Sequence, residues 1–167
     1  IWHRHILDCG QLVSLILAEP LRICDLGSGA GLPGLVLAAL DIGVGEGGCL
    51  DLVESDSRKA AFLREANRLM GTHARIENRR IEEMAETGTG GYDIITARAL
   101  APLPKLLEMS NNLLKTGGKL LFLKGKTGDA ELTESEKAWK MRATKMPSAS
   151  DSEGVILLIK DLERRHG

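Results

Sequence analysis

The chain has 167 residues, 43% hydrophobic and 27% charged, the profile of one ordinary globular domain, residues 1–167, with a full core. Its 22 basic and 23 acidic residues give a net charge of −1, which excludes a surface coated in positive charge for naked nucleic acid; RNA contact has to come from local patches. No apolar run approaches the roughly 18 residues of a membrane span, and nothing reads as a signal peptide. Cys9, Cys24 and Cys49 lack C-x-x-C spacing, so neither a disulfide framework nor a zinc or other metal site is expected, and a reducing cytoplasm fits. The first residue is Ile1 rather than Met, so the natural start is expected to be missing.

Trp2 to Ala18 reads as a helix, with Ile6, Val13 and Ile16–Leu17 helping to form its apolar face, ended by Pro20. Arg22–Leu26 is a buried strand that runs into the turn Gly27-Ser28-Gly29-Ala30-Gly31-Leu32-Pro33-Gly34. Pro33 suits the first turn of the next helix, where a missing N–H costs little. Asp41–Gly48 is a glycine-rich loop, and Cys49–Val53 a second strand ending at Glu54. Ser57–Met70 is a helix with Phe62, Ala66, Leu69 and Met70 on one side, closed by Gly71. Ala74–Glu77 is a short strand followed by Arg79-Arg80-Ile81-Glu82-Glu83, and Tyr92–Thr96 is the next strand. Leu103–Leu114 is helical, Lys119–Leu123 a strand, Asp129–Lys140 a polar helix and Val155–Lys160 a last strand, compatible with an antiparallel insertion. Alternating strands and helices predict an α/β fold, a mostly parallel Rossmann-like sheet with helices on both faces.

The glycine turn carries the first chemical signal. A turn without side chains lets backbone approach a ligand closely, with a helix starting just after it. Its third glycine follows the second by two residues, unlike the G-x-G-x-x-G of dinucleotide folds, which suits a ligand with no pyrophosphate to seat. Asp25 just before it fits a cationic ligand such as S-adenosylmethionine, and Gly29 is expected against that ligand. Glu54, about 20 residues on at a strand end, is placed to accept hydrogen bonds from both ribose hydroxyls. Ile81 and Glu82 lie where this fold puts the adenine. The loop Thr96-Ala97-Arg98-Ala99-Leu100-Ala101-Pro102-Leu103-Pro104 has neither the Asn/Asp-Pro-Pro-aromatic tetrad of amine methylation nor a cysteine nucleophile. Arg98, a lone cation among small residues, suits a cofactor carboxylate or an RNA phosphate.

Trp2-His3-Arg4-His5-Ile6-Leu7-Asp8, the Asp25–Gly34 turn, Val53-Glu54-Ser55 with Arg58-Lys59-Ala60-Ala61-Phe62-Leu63, Arg80-Ile81-Glu82-Glu83, Thr96–Pro104 and Lys124-Gly125 occur together in one order. In these segments the chain resembles the small-subunit ribosomal RNA guanine-N7 methyltransferase G family, also called glucose-inhibited division protein B. The resemblance implies a class I S-adenosylmethionine-dependent enzyme of the bacterial cytoplasm that methylates N7 of one guanine in 16S rRNA. It implies cofactor contacts at Gly27, Leu32, Ile81, Glu82 and Arg98, and the fold implies Glu54. Candidate RNA contacts are His3, Arg4, His5, Lys124 and Lys126. Where Cys9 stands, family members usually have Ser. The expected partner is 16S rRNA or the small ribosomal subunit, the expected state a monomer, and no membrane is involved. Guanine N7 already carries an in-plane lone pair, so transfer requires positioning rather than a base, with Arg98 the positioning candidate. Two alternatives stay open: a methyltransferase for a small molecule or protein, and a binding module without catalysis.

Overall fold

The computed structural model describes residues 2–16, 21–43 and 46–166. Its elements in chain order are α1 (Trp2–Gln11) with a 3-10 turn (Leu12–Leu15), β1 (Arg22–Leu26), α2 (Gly34–Ala39), β2 (Cys49–Val53), α3 (Ser57–Met70), β3 (Arg75–Glu77), α4 (Ile81–Glu86), β4 (Tyr92–Arg98), α5 (Leu103–Asn111), β5 (Leu114–Lys124), α6 (Gly128–Ser135), β6 (Trp139–Pro147) and β7 (Val155–Arg164). Among the described residues the strands form one sheet in the order β3-β2-β1-β4-β5-β7-β6. The first five strands pair in parallel, and β7 lies antiparallel between β5 and β6. The order reverses between β1 and β4, which opens a crevice above the carboxyl ends of those strands.

The strands are apolar on both faces because both are covered. Successive residues serve opposite layers: Leu120 and Phe122 of β5 pack with Met84 of α4 and Leu103, Leu106 and Leu107 of α5. Leu121 and Leu123 join Leu12 and the α2 and α3 residues Leu35, Leu37 and Leu63 on the other face. Sliding a strand by one residue would exchange the two sets, so the register is tightly specified. No described helix is long and apolar enough to cross a membrane, and no described cluster of His, Cys, Asp and Glu could hold a metal.

The helix expected over Leu103–Leu114 ends at Asn111 and β5 begins already at Leu114, and three other elements also differ from the sequence expectation. The first helix ends at Gln11 and tightens into a 3-10 turn that buries Leu12, while Gln11 spends its amide on Pro147 and Ala149. The remainder of that expected helix, 17–20, lies outside the described residues. In α3 the buried side carries Ala60 and Leu63, whereas Phe62, Leu69 and Met70 are exposed. Small Ala60 allows close approach to the sheet, and Asn67, beside that face, bonds both the N–H and the C=O of Ala74. The polar helix stops at Ser135, and Trp139–Pro147 forms edge strand β6, with buried Trp139 anchoring its start. Lys and Arg on the exposed positions of an edge strand hide its period and guard it against pairing with another chain.

One polar cluster lies buried beneath the crevice. The register sets Asp25 of β1 beside Leu52 of β2 and Thr96 of β4. The fully buried Asp25 carboxylate accepts hydrogen bonds from Ser28 Oγ at 2.7 Å and Thr96 Oγ1 at 2.6 Å. Burial pushes its carboxyl up to about 6, although hydrogen bonds from Thr96, Ser28 and the Gly34 N–H act the other way. The folded protein therefore binds this proton more tightly than the unfolded chain. The stability it contributes is full below the ordinary value of 3.8 and is lost as pH rises through about 6. Denaturation of wild type and Asp25→Asn at pH 4 and pH 7 should show the wild type losing up to about 3 kcal/mol relative to the variant at the higher pH. A difference independent of pH would mean that Asp25 titrates normally.

Candidate active site

Above the carboxyl ends of β1, β2, β3 and β4 lies a cavity of about 770 Å³. This is within the range of small-ligand sites, about 300–1,000 Å³. Its floor is the glycine turn. Gly27, Gly29 and Gly31 have φ of 63°, 54° and 88°, the left-handed region that side chains disfavour. A Cβ on Gly27 would lie 2.4 Å from Leu100 Cδ1, whereas on Gly29 its nearest neighbour would be the Gly27 carbonyl oxygen at 3.7 Å. Gly27 therefore seals the turn against the β4 loop, and Gly29 leaves room beside the backbone.

Glu54 stands at the end of β2, 7% exposed and in the cavity wall. Its carboxylate accepts the Gly29 N–H and the Asp56 N–H, each at 2.9 Å, on separate oxygens. Two anchored oxygens, each with a lone pair to spare, suit a pair of vicinal hydroxyls. Asn78 donates to the Glu54 carbonyl at 2.9 Å and so ties the β3 end to the β2 end. Ile81 and Glu82, in the first turn of α4, form the wall beside Glu54.

Arg98 closes the opposite side. It is half-buried, in contact with His5 Nδ1 of α1, and is followed by Ala99 at φ 47°. Cys9 lies under the same guanidinium. Burial pushes its thiol up to about 12, with Arg98 pulling the other way, so at neutral pH it is a protonated thiol and no nucleophile.

Gly27, Gly29, Leu32, Glu54, Ile81, Glu82, Arg98 and His5 thus line one cavity. Asp25 does not line it: the carboxylate is fully buried beneath the turn and holds Ser28 and Thr96, since a group in the sheet core cannot also face the crevice. Lys124 is turned inward, its ammonium 2.7 Å from Glu131 and 2.9 Å from the Ala101 carbonyl. That pairing satisfies the ammonium within the protein, while Lys124 also borders a second, smaller cavity. Lys126 borders a separate surface pocket, and His3 is exposed. The Arg4 side chain lies outside the described residues.

Sequence reasoning did not single out Lys59, Arg79 and Arg80, which also line the cavity. Arg79 donates to Thr89 Oγ1 at 2.6 Å, while its buried Nε has no hydrogen-bond partner. The one available signal was the Arg79-Arg80 pair directly after the third strand. Taken together, an anchored carboxylate, bare backbone in the floor and the Arg98 guanidinium on the opposite side fit an adenosyl group bearing a carboxylate.

Known proteins share both the fold and the sequence. Solved structures of similar fold include a ribosomal protein L11 methylase from Lactobacillus delbrueckii subsp. bulgaricus (TM-score 0.73, 18% identity, 98% of this chain and 80% of that one). Another is an S-adenosylmethionine-dependent O-methyltransferase from Thermotoga maritima (TM-score 0.69, 17% identity, 95% and 66%). The fold is the Rossmann-like class I methyltransferase fold. The chain is 47% identical over 166 residues to the ribosomal RNA small subunit methyltransferase G of Paramagnetospirillum magneticum, covering 98% of this chain and 76% of that protein. It is 46% identical to the protein of that name from Gluconobacter oxydans, covering 98% and 80%. The family model described as rRNA small subunit methyltransferase G matches residues 1–156. The chain belongs to the rRNA small subunit methyltransferase G family.

Proposed function

We propose that this chain transfers the methyl group of S-adenosylmethionine to N7 of a guanine in 16S rRNA. The observation that carries the reading is the cavity itself. In a chain of this family, it joins the glycine turn, the anchored Glu54, the start of α4 and Arg98 at the crevice of the parallel sheet. Glu54 would hold the ribose, Ile81 and Glu82 the adenine, the backbone of Gly27 and Gly29 the methionine portion, and Arg98 its carboxylate. When bound, the cofactor supplies a methyl carbon made electrophilic by its sulfonium. Guanine N7 offers a lone pair without losing a proton, so the protein needs no general base. Its work is to orient the acceptor and exclude water. N7 lies in the deep major groove of A-form RNA, so the guanine has to be unpaired or turned out of its stack.

The direct test is transfer of labelled methyl to 30S particles and to naked 16S rRNA lacking the modification, followed by cleavage mapping at 7-methylguanine. Label at one guanine is the expected result. Cofactor binding with no label on either substrate would favour a small-molecule or protein acceptor, or a sensing role.

Two variants check the cofactor assignment. Gly29→Val should fold with a loss of roughly 1–3 kcal/mol from its backbone strain and lose cofactor affinity in calorimetry. Folded protein with unchanged affinity would refute the placement. Arg98→Ala should lower kcat/KM by about ten- to a hundred-fold while shifting Tm by only about 2–4 °C. Equal losses of stability and activity would make Arg98 a structural residue.

A further inference from the structure

A second cavity, of about 310 Å³, adjoins the first and shares Arg98 and Ala99 with it. It lies beyond the carboxyl ends of β4 and β5 and is roofed by the turn between β6 and β7. Its most buried charged wall residue is Asp8, the last residue of the Trp2–Asp8 motif, for which the cofactor site has no use. Asp8 is 8% exposed. One of its oxygens accepts from Ser148 Oγ at 2.5 Å, and Ser148 Oγ in turn accepts the N–H groups of Ser150 and Asp151. Among the described residues the other carboxylate oxygen has no hydrogen-bond donor. The Ser148 clamp fixes the carboxylate in the wall and leaves acceptor capacity for a ligand.

We infer that this second cavity receives the acceptor guanine and that Asp8 reads its Watson–Crick edge; the inference rests on the function proposed above. N7 and the N1–H/N2–H2 edge lie on opposite sides of a purine. With N7 at the Arg98–Ala99 opening, the two donors of the far edge point into the cavity, where an ionised carboxylate accepts both. O6, next to N7, then lies on the side of the Arg98 guanidinium. Adenine is refused at both ends, since it sets a lone pair at N1 against Asp8 and an amino group at C6 against Arg98. Lys124, the other cation in the wall, is committed to Glu131 and does not neutralise Asp8. Asp8 is thus a specificity residue that needs no part in the chemistry at N7.

The test compares wild type and Asp8→Asn on small-subunit rRNA ligated with guanosine or inosine at the methylated position. Inosine keeps N7, O6 and N1–H and lacks only the exocyclic amine. Wild type should lose about ten-fold in kcat/KM on inosine. Asp8→Asn should be slower on guanosine by about ten- to a hundred-fold, treat the two bases alike within about two-fold, and bind S-adenosylmethionine as wild type does. Ser148→Ala keeps the carboxylate and should therefore keep the inosine penalty at a reduced rate. No inosine penalty in wild type, or the same penalty in Asp8→Asn, overturns the assignment while leaving the methyltransferase reading intact. Wild type that does not methylate guanosine overturns that reading, and this pocket with it.

Discussion

The site depends on one constraint: a turn in which Gly27, Gly29 and Gly31 take left-handed backbone, held between two carboxylates. Asp25 takes the Ser28 hydroxyl from beneath, and Glu54 takes the Gly29 N–H from the front. Hydrogen bonds to charged groups contribute about 1.5–3 kcal/mol each, enough to hold a conformation that ordinary residues avoid. Because Asp25 and Glu54 sit on neighbouring parallel strands, the cradle forms only when β1 and β2 are in register. Sheet pairing and the shape of the cradle are therefore one event.

Charge explains how a nearly neutral protein meets RNA. Many of its cations are paired internally: Arg75 with Asp51, Lys124 with Glu131, Lys145 with Asp129 and Lys115 with Asp93. Lys59, Arg79 and Arg80 line the larger cavity, and Arg98 lines both cavities. The mouth of the site therefore holds a cluster of cations that can attract phosphate. Where such pairs form, opposite charges lie within a few ångströms and cancel well inside a Debye length.

The chemistry asks for placement, and the side chains are arranged accordingly. The cysteine nearest the site is held as a thiol, and the two carboxylates closest to the turn are occupied with backbone and hydroxyl donors. Arg98 forms the boundary between the two cavities. It is set by His5 of α1 on one side and by the left-handed Ala99 on the other. Helix α1 thus touches both halves of the site, through His5 and through Asp8.

Much of this was legible in the residues. Short apolar runs located β1, β2 and β4 to within a residue or two, and the glycine spacing and Glu54 pointed to residues that line the larger cavity, because local backbone geometry and strand burial leave direct marks on composition. Other features were not legible. The buried side of α3 was decided by the sheet surface beneath it, so a stripe containing Phe62 and Leu69 lost to one containing Ala60 and Leu63. Edge strand β6 was hidden because five of its nine positions face solvent, three of them lysine or arginine. The inward turn of Lys124 and the burial of Asp25 depend on partners 7 and 71 residues away, Glu131 and Thr96. The sequence by itself determined the α/β class, the glycine turn and the family. Only the tertiary structure decided which charges face a ligand and which hold the fold, because that depends on partners that chain folding brings together.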